Sequence, residues 1–432
     1  MVTAVAPHAA STSTTLDNGL TLVVTPLPFA RSVSVTFFLR AGSRYEEGAS
    51  AGLSHFCEHL CFKGTERRPR PTDLSSEIDA VGGSINATTD RELTSYYAKV
   101  TPEYLERALD VLSDMLRCSL YRESEIERER DVILEELAAV QDAPDELAGV
   151  LLDGLLWPGQ PLGRDIAGTP ESVRSVAAGR LRSYYRTQYV ANGAVLSIAG
   201  AVEAGRARDL ADRFVGGWEP GSPADWIRAA PAPGEGARLM LRTKETEQAH
   251  IALGMPGLSL VDPDRYALGL LSAVLGEGMS SRLFVKLREE LALCYDVHSS
   301  VALLMDTGSL GVYAGVDRAR TDEALSAIVR ELARIRDPVG EEELARAKTL
   351  VRSRIQLRLE DTRAVSARYG ALAALGLPLL TPEETIARYE AVTASDLRRV
   401  AERVVRDSEF RLAVVAPASD EAPLAAARAG AV

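Results

Sequence analysis

Apolar positions along the chain follow two rhythms, and the rhythms recur in the same order twice. "LTLVVTPL" (20–27) and "SVSVTFFLRAG" (32–42) are short runs rich in β-branched and aromatic residues, which predicts strands. A segment with helical spacing follows, "ASAGLSHFCEHLCFKGT" (49–65). The second half opens alike, with strand-like "ARLMLRTK" (237–244) and "AHIALGMPG" (249–257), then helical "DRYALGLLSAVLGEG" (264–278). Each half then carries an amphipathic helix, "PEYLERALDVLSDMLR" or "TDEALSAIVRELARI", and a long charged one, "ESEIERERDVILEELAAVQ" or "GEEELARAKTLVRSRIQLRLE". Each closes on a helix and a strand, with Leu181-Arg182 and Leu397-Arg398 at matching places. The pattern predicts a duplicated α+β domain, residues 1–215 and 238–432, joined by the Gly-, Pro- and Ala-rich stretch 216–237.

Composition narrows the function without choosing it. The 432 residues suffice for two domains with substantial cores. A formal charge of −12 argues against a nucleic-acid binder. No apolar run approaches the ~20 residues that span a bilayer. The N-terminus lacks the pattern of a secretory signal. The cysteines at 57, 61, 118 and 294 show no disulfide framework, so the expectation is a cytoplasmic protein with reduced thiols.

Only five histidines occur in the chain, and two of them stand four apart at His55 and His59. At ~100° per residue on a helix, His55, Glu58 and His59 share one face, while Cys57 and Cys61 fall on the opposite side. Both imidazoles can reach one ion, and Glu58 beside them can act on a water at that ion. H-x-x-E-H is the inverted zinc-peptidase motif, and imidazole ligands favour zinc. A chance pattern is disfavoured in a chain so poor in histidine. A structural site using the cysteines is disfavoured by their direction, and packing in the core suits them better. The second half has no histidine pair at the corresponding place.

Two histidines leave a catalytic zinc one protein ligand short, and a carboxylate usually completes it. On the acidic helix 123–140, helical angles set Glu129 and Glu136 at the border of the apolar face and turn Glu135 towards solvent. A carboxylate on a buried face needs a partner, which selects Glu136 as third ligand. Glu129 becomes a neighbour that supports the site through a histidine nitrogen or a water.

These features resemble the pitrilysin family of inverted-motif zinc peptidases, which includes insulin-degrading enzyme and the mitochondrial processing peptidase. The family's ligand glutamate follows the motif by a spacing that lands on Glu136 here, and a glutamate seven positions earlier matches Glu129. "GGSINATTDRELTSYYAKV" (82–100) is similar to the family segment whose edge strand, around Asn86-Ala87, pairs with substrate backbone. "SRLFVKLREELALCYDV" (281–297) matches its arginine–tyrosine element, with Arg288 and Tyr295 in the key positions and Phe284 before them. "PLGRDIAGTPESV" (161–173) resembles a further segment.

The resemblance implies two homologous domains, each a mostly antiparallel sheet covered by helices. It also implies one zinc ion per chain and hydrolysis of extended or unfolded peptides, with Tyr295 stabilising the oxyanion and Arg288 holding substrate carbonyls. The length matches the half-length branch, whose members form clam-shell-like dimers enclosing a chamber. A homodimer is expected, with a heterodimer with a related subunit as the alternative. The rival reading is a non-catalytic, structural subunit of the same fold.

Overall fold

The computed structural model describes residues 11–230 and 236–417, so residues 231–235 of the expected linker lie outside the described residues. Eleven strands are arranged in two sheets among the described residues. The first sheet takes β1 (Thr12–Thr15), β2 (Thr21–Pro26), β3 (Val33–Leu39), β4 (Ser84–Thr89), β5 (Thr94–Val100) and β6 (Ala194–Gly200). The second takes β7 (Leu239–Thr243), β8 (Gln248–Pro256), β9 (Cys294–Leu303), β10 (Gly308–Asp317) and β11 (Arg411–Ala416).

The strand orders are β1-β2-β6-β3-β5-β4 and β7-β11-β8-β10-β9. Apart from β1, the two sheets share one plan. Each has a single parallel pair, β2 with β6 and β7 with β11, and is otherwise antiparallel. The helices Leu105–Cys118 and Thr321–Arg334 stand at corresponding places, as do the charged helices Glu123–Asp142 and Glu341–Arg358. β4 and β9 are therefore counterparts, and among the described residues each is an edge strand of its sheet.

The compact units are not the two contiguous halves. One unit comprises the described part of 1–135 with Asp165–Ile227 and Gln356–Thr381; the other comprises Glu136–Arg164, Arg228–Ile355 and the described part of 382–432. Each half lends the other a helix. In the first unit, helix Thr362–Ala374 lays Val365, Tyr369 and Ala374 on Val23, Phe38, Val195 and Ala199 of the sheet. Gly370 sits so close that a Cβ there would stand 2.4 Å from the Phe38 ring. In the second unit, helix Pro144–Leu156 lays Leu147, Ala148 and Leu152 on Ala252, Ala413 and Val415. The opposite face of the second sheet packs a larger core of Ile251, Leu253, Leu310 and Val312 against Leu268, Leu271, Ile328 and Val400. Periodicity says nothing about which sheet an apolar helix face will meet.

The connecting stretch is fastened within the first unit as far as Ile227. Ala191 donates to the Glu219 carbonyl, and Asn192 and Gly221 exchange two bonds of 2.8 Å. The fully buried Arg44 gives two hydrogen bonds to the Ile227 carbonyl, pairs with Glu92 at 2.5 Å, and lies 4.1 Å over the Trp226 ring.

Candidate metal centre

The motif segment forms a helix over Leu53–Cys61, shorter than the apolar pattern alone suggests. Neither of the serines near its start, Ser50 and Ser54, caps it. Gly52 takes the cap position at φ 93°, and a Cβ there would meet the Ala167 carbonyl oxygen at 2.4 Å. The capping acceptor comes from outside the helix. Glu46, 2% exposed, accepts from the backbone amides of Gly52 (2.7 Å) and Ser54 (2.6 Å), placing a carboxylate at the positive end of the helix. Ser54 instead shares a 2.6 Å hydrogen bond with Tyr184. The helix ends at Cys61, and Gly64 turns the chain just beyond it at φ 111°.

Its two faces differ as the angles require. Cys57 and Cys61 are fully buried; burial raises the Cys57 thiol well above its ordinary range and takes Cys61 to about 11. Tyr121 seals this side, donating to the Cys57 carbonyl at 3.3 Å. His55, Glu58 and His59 are each part-exposed on the other face. The imidazole centroids lie 4.6 Å apart and tilted by 64°. Burial, and then the neighbouring His59, lower the His55 pKa to about 4, so this ring is neutral at pH 7, as a ligand must be.

The donor atoms of His55, His59 and Glu136 all lie within 4.8 Å of one another. Glu136 and Glu129 stand on the same continuous helix, Glu123–Asp142. Glu129 is 5% exposed, and its carboxylate contacts His59 Nδ1 at 3.0 Å and Lys63 Nζ at 2.7 Å. Burial alone would push the Glu129 carboxyl up; the bonds to His59 and Lys63 outweigh it and leave the group below the usual range. With Nδ1 directed at Glu129, His59 keeps Nε2 for an ion. Two imidazoles and a carboxylate, one imidazole tied to a buried carboxylate, fit the three-ligand set of a catalytic zinc.

Glu136 is exposed, as is Glu135, so burial does not distinguish the two. Helical angles presume a uniformly covered apolar face, whereas the helix is open to solvent at this turn, where Val132 is also exposed. What singles out Glu136 is convergence with the histidines. The demand that a buried carboxylate find partners applies to Glu129.

Glu58 is held from the edge strand. Thr89, 8% exposed and the last residue of β4, donates its hydroxyl to Glu58 Oε2 at 2.5 Å. Earlier in β4, Asn86 is exposed and Ala87 buried, and the Ala87 amide donates to Asn86 Oδ1 at 2.8 Å. Glu46, Lys63 and Thr89 escape sequence reasoning because each acts through the fold. Only the acidic character of Glu46 shortly before a helix offers a local signal.

The second unit holds the arginine–tyrosine element. Phe284–Glu290 is a π-helix, closed by Leu291 donating to the Lys286 carbonyl at 3.2 Å. In the β9–β10 pairing, Gly315 faces Asp296 and Val316 faces Cys294, which leaves Tyr295 as the extra residue of a bulge. The bulge turns Tyr295 outward, 75% exposed. The Arg288 guanidinium lies 4.6 Å from the Tyr295 ring centre and 4.9 Å from that of Phe284, so all three side chains form one stack.

Comparison with known proteins matches the chain to two family descriptions: insulinase (peptidase family M16) over residues 22–170, and peptidase M16 inactive domain over residues 175–351. An uncharacterized zinc protease of Streptomyces coelicolor is 37% identical over 417 residues, covering 94% of this chain and 90% of that protein. A probable mitochondrial-processing peptidase subunit beta of Arabidopsis thaliana is 32% identical, covering 94% of this chain and 78% of that protein. A protease from Helicobacter pylori shares the fold with a TM-score of 0.88 at 22% identity, covering 95% of this chain and all of that one. No helix among the described residues is long and apolar enough to cross a membrane.

Proposed function

From the premise that this chain belongs to peptidase family M16, whose similar members are named zinc proteases, we propose that it is a zinc-dependent endopeptidase acting on extended peptides. The observation that carries this reading is the convergence of His55, His59 and Glu136 within 4.8 Å beside a held Glu58. These three residues would hold one zinc ion per chain, which when bound acidifies a water and polarises the scissile carbonyl. Glu58 takes the proton of the attacking water and passes it to the leaving amine. Glu129 fixes the His59 ring. The substrate adds as a strand to the free edge of β4, where Asn86 and Ala87 meet its backbone. In a dimer, the zinc site of one protomer faces the arginine–tyrosine element of the other, where the phenol at Tyr295 donates to the developing oxyanion and Arg288 holds substrate carbonyls.

We place the protein in the cytoplasm as a homodimer enclosing a chamber. The similarity to a processing-peptidase beta subunit makes a heterodimer with a related subunit the second reading. A purely structural subunit is disfavoured because every position of the site is filled by a residue fit for its role.

Metal analysis combined with cleavage of a quenched peptide library tests the reading. The expected result is one zinc per chain and cleavage abolished by chelator. Glu58→Gln should keep zinc and lose turnover; retained turnover would remove Glu58 from the role of base. Glu136→Gln should lose zinc while Glu135→Gln keeps it, and the reverse would reassign the ligand.

A further inference from the structure

We infer that Thr89 is a positioning residue for Glu58, and that it ties the substrate-binding edge to the catalytic base. The inference rests on the peptidase reading and adds a residue to it. An ionised carboxylate can only accept hydrogen bonds, so the single hydroxyl proton of Thr89 must point at Glu58 Oε2 across the 2.5 Å contact. With Oε2 tied, the carboxylate cannot turn freely about its last bond.

Thr89 is itself held. It faces Thr94 in the β4–β5 register, where Asp90 donates to the Leu93 carbonyl at 2.9 Å to close the hairpin. Thr94 donates its hydroxyl to the Ala41 carbonyl at 3.1 Å, anchoring the hairpin to the backbone just beyond β3. The hydroxyl that orients Glu58 therefore sits beside the turn of a short, fastened hairpin. The other end of the same strand carries Asn86 and Ala87, so a peptide adding to β4 orders the strand that aims the base.

The test compares Thr89→Val, which keeps the shape and removes the hydroxyl, with Thr89→Ser, which keeps the hydroxyl. In the zinc-loaded full chain, Val is expected to lower kcat by about 10- to 100-fold with KM and zinc content unchanged. Ser is expected to recover to within a few-fold of the parent. A crystal structure of each variant supplies a readout independent of turnover. Glu58 should occupy one orientation in the parent and in Ser, and several in Val. Full kcat in Val, equal impairment of Ser and Val, or an unmoved Glu58 in Val would each overturn the assignment. If Val loses zinc or its fold, Thr89 serves structure and the inference fails. A parent chain that cleaves no peptide defeats the peptidase reading, and the Glu58 orientations still decide the role of Thr89.

Discussion

At the scale of single residues, two buried carboxylates hold the motif helix in place, Glu46 at its first amides and Glu129 at the His59 ring. The spacing of His55, Glu58 and His59 follows from helix geometry, and so does the opposite direction of Cys57 and Cys61. Glu136 was reachable by spacing, although the burial argument that favoured it belongs to Glu129. Glu46 could not be assigned, because its task depends on a turn that brings it back over the helix start. Glu46→Ala removes an acceptor from two backbone amides at that end and should cost about 1–3 kcal/mol, read as a lower urea midpoint together with weaker zinc retention. Glu46→Gln keeps one acceptor oxygen and should lose less. The thiols allow a simpler check. Burial raises the pKa of both Cys57 and Cys61, so native protein at pH 8 should alkylate at the exposed Cys118 and resist at these two until unfolded. Mass spectrometry of the labelled peptides reads the difference.

Among the elements, strands and helices were legible wherever their periodicity was long, as in Val33–Leu39 and Leu105–Cys118. The segment around Arg288 shows what periodicity misses. A π-turn and a one-residue bulge change side-chain direction without changing composition, and these two irregularities build the stack of Phe284, Arg288 and Tyr295. The element is pinned at its start by Arg282, whose guanidinium forks onto Glu343 with two bonds of 2.7 Å. The hydrogen bond from Arg282 holds the Glu343 carboxyl below its usual range. Because the folded pKa is depressed, this stabilisation is present above the ordinary carboxylate pKa and is lost as pH falls through the folded value. Between pH 6 and acid below pH 4, the parent should therefore lose roughly 1 kcal/mol that Glu343→Gln lacks already, measured as converging urea midpoints. Over the same fall in pH, an unchanged gap between the two would remove the fork from the ledger of the fold.

At the scale of the whole molecule, the duplicated order of elements was visible in the sequence, while the exchange of helices was not. The helices 144–156 and 362–374 lay apolar side chains on the two sheets, and nothing local in the sequence says which sheet each will meet. A fragment ending at residue 215 keeps all of the first sheet but leaves Val23, Phe38, Val195 and Ala199 without Tyr369 and Val365 above them. It should bind a hydrophobic dye or precipitate, and adding a peptide of residues 356–381 should reduce both. The same exchange sets a schedule for synthesis. The last strand of the first sheet ends at Gly200, and its covering helix ends at Ala374, so 174 residues must still be made after that strand is complete. At roughly 5–20 residues per second, the nascent chain carries one bare sheet face for about 10–30 s. During that interval the ribosome-bound intermediate is a client for a chaperone, and conditions that slow elongation should lower the soluble yield of the full-length protein more than they lower its total synthesis.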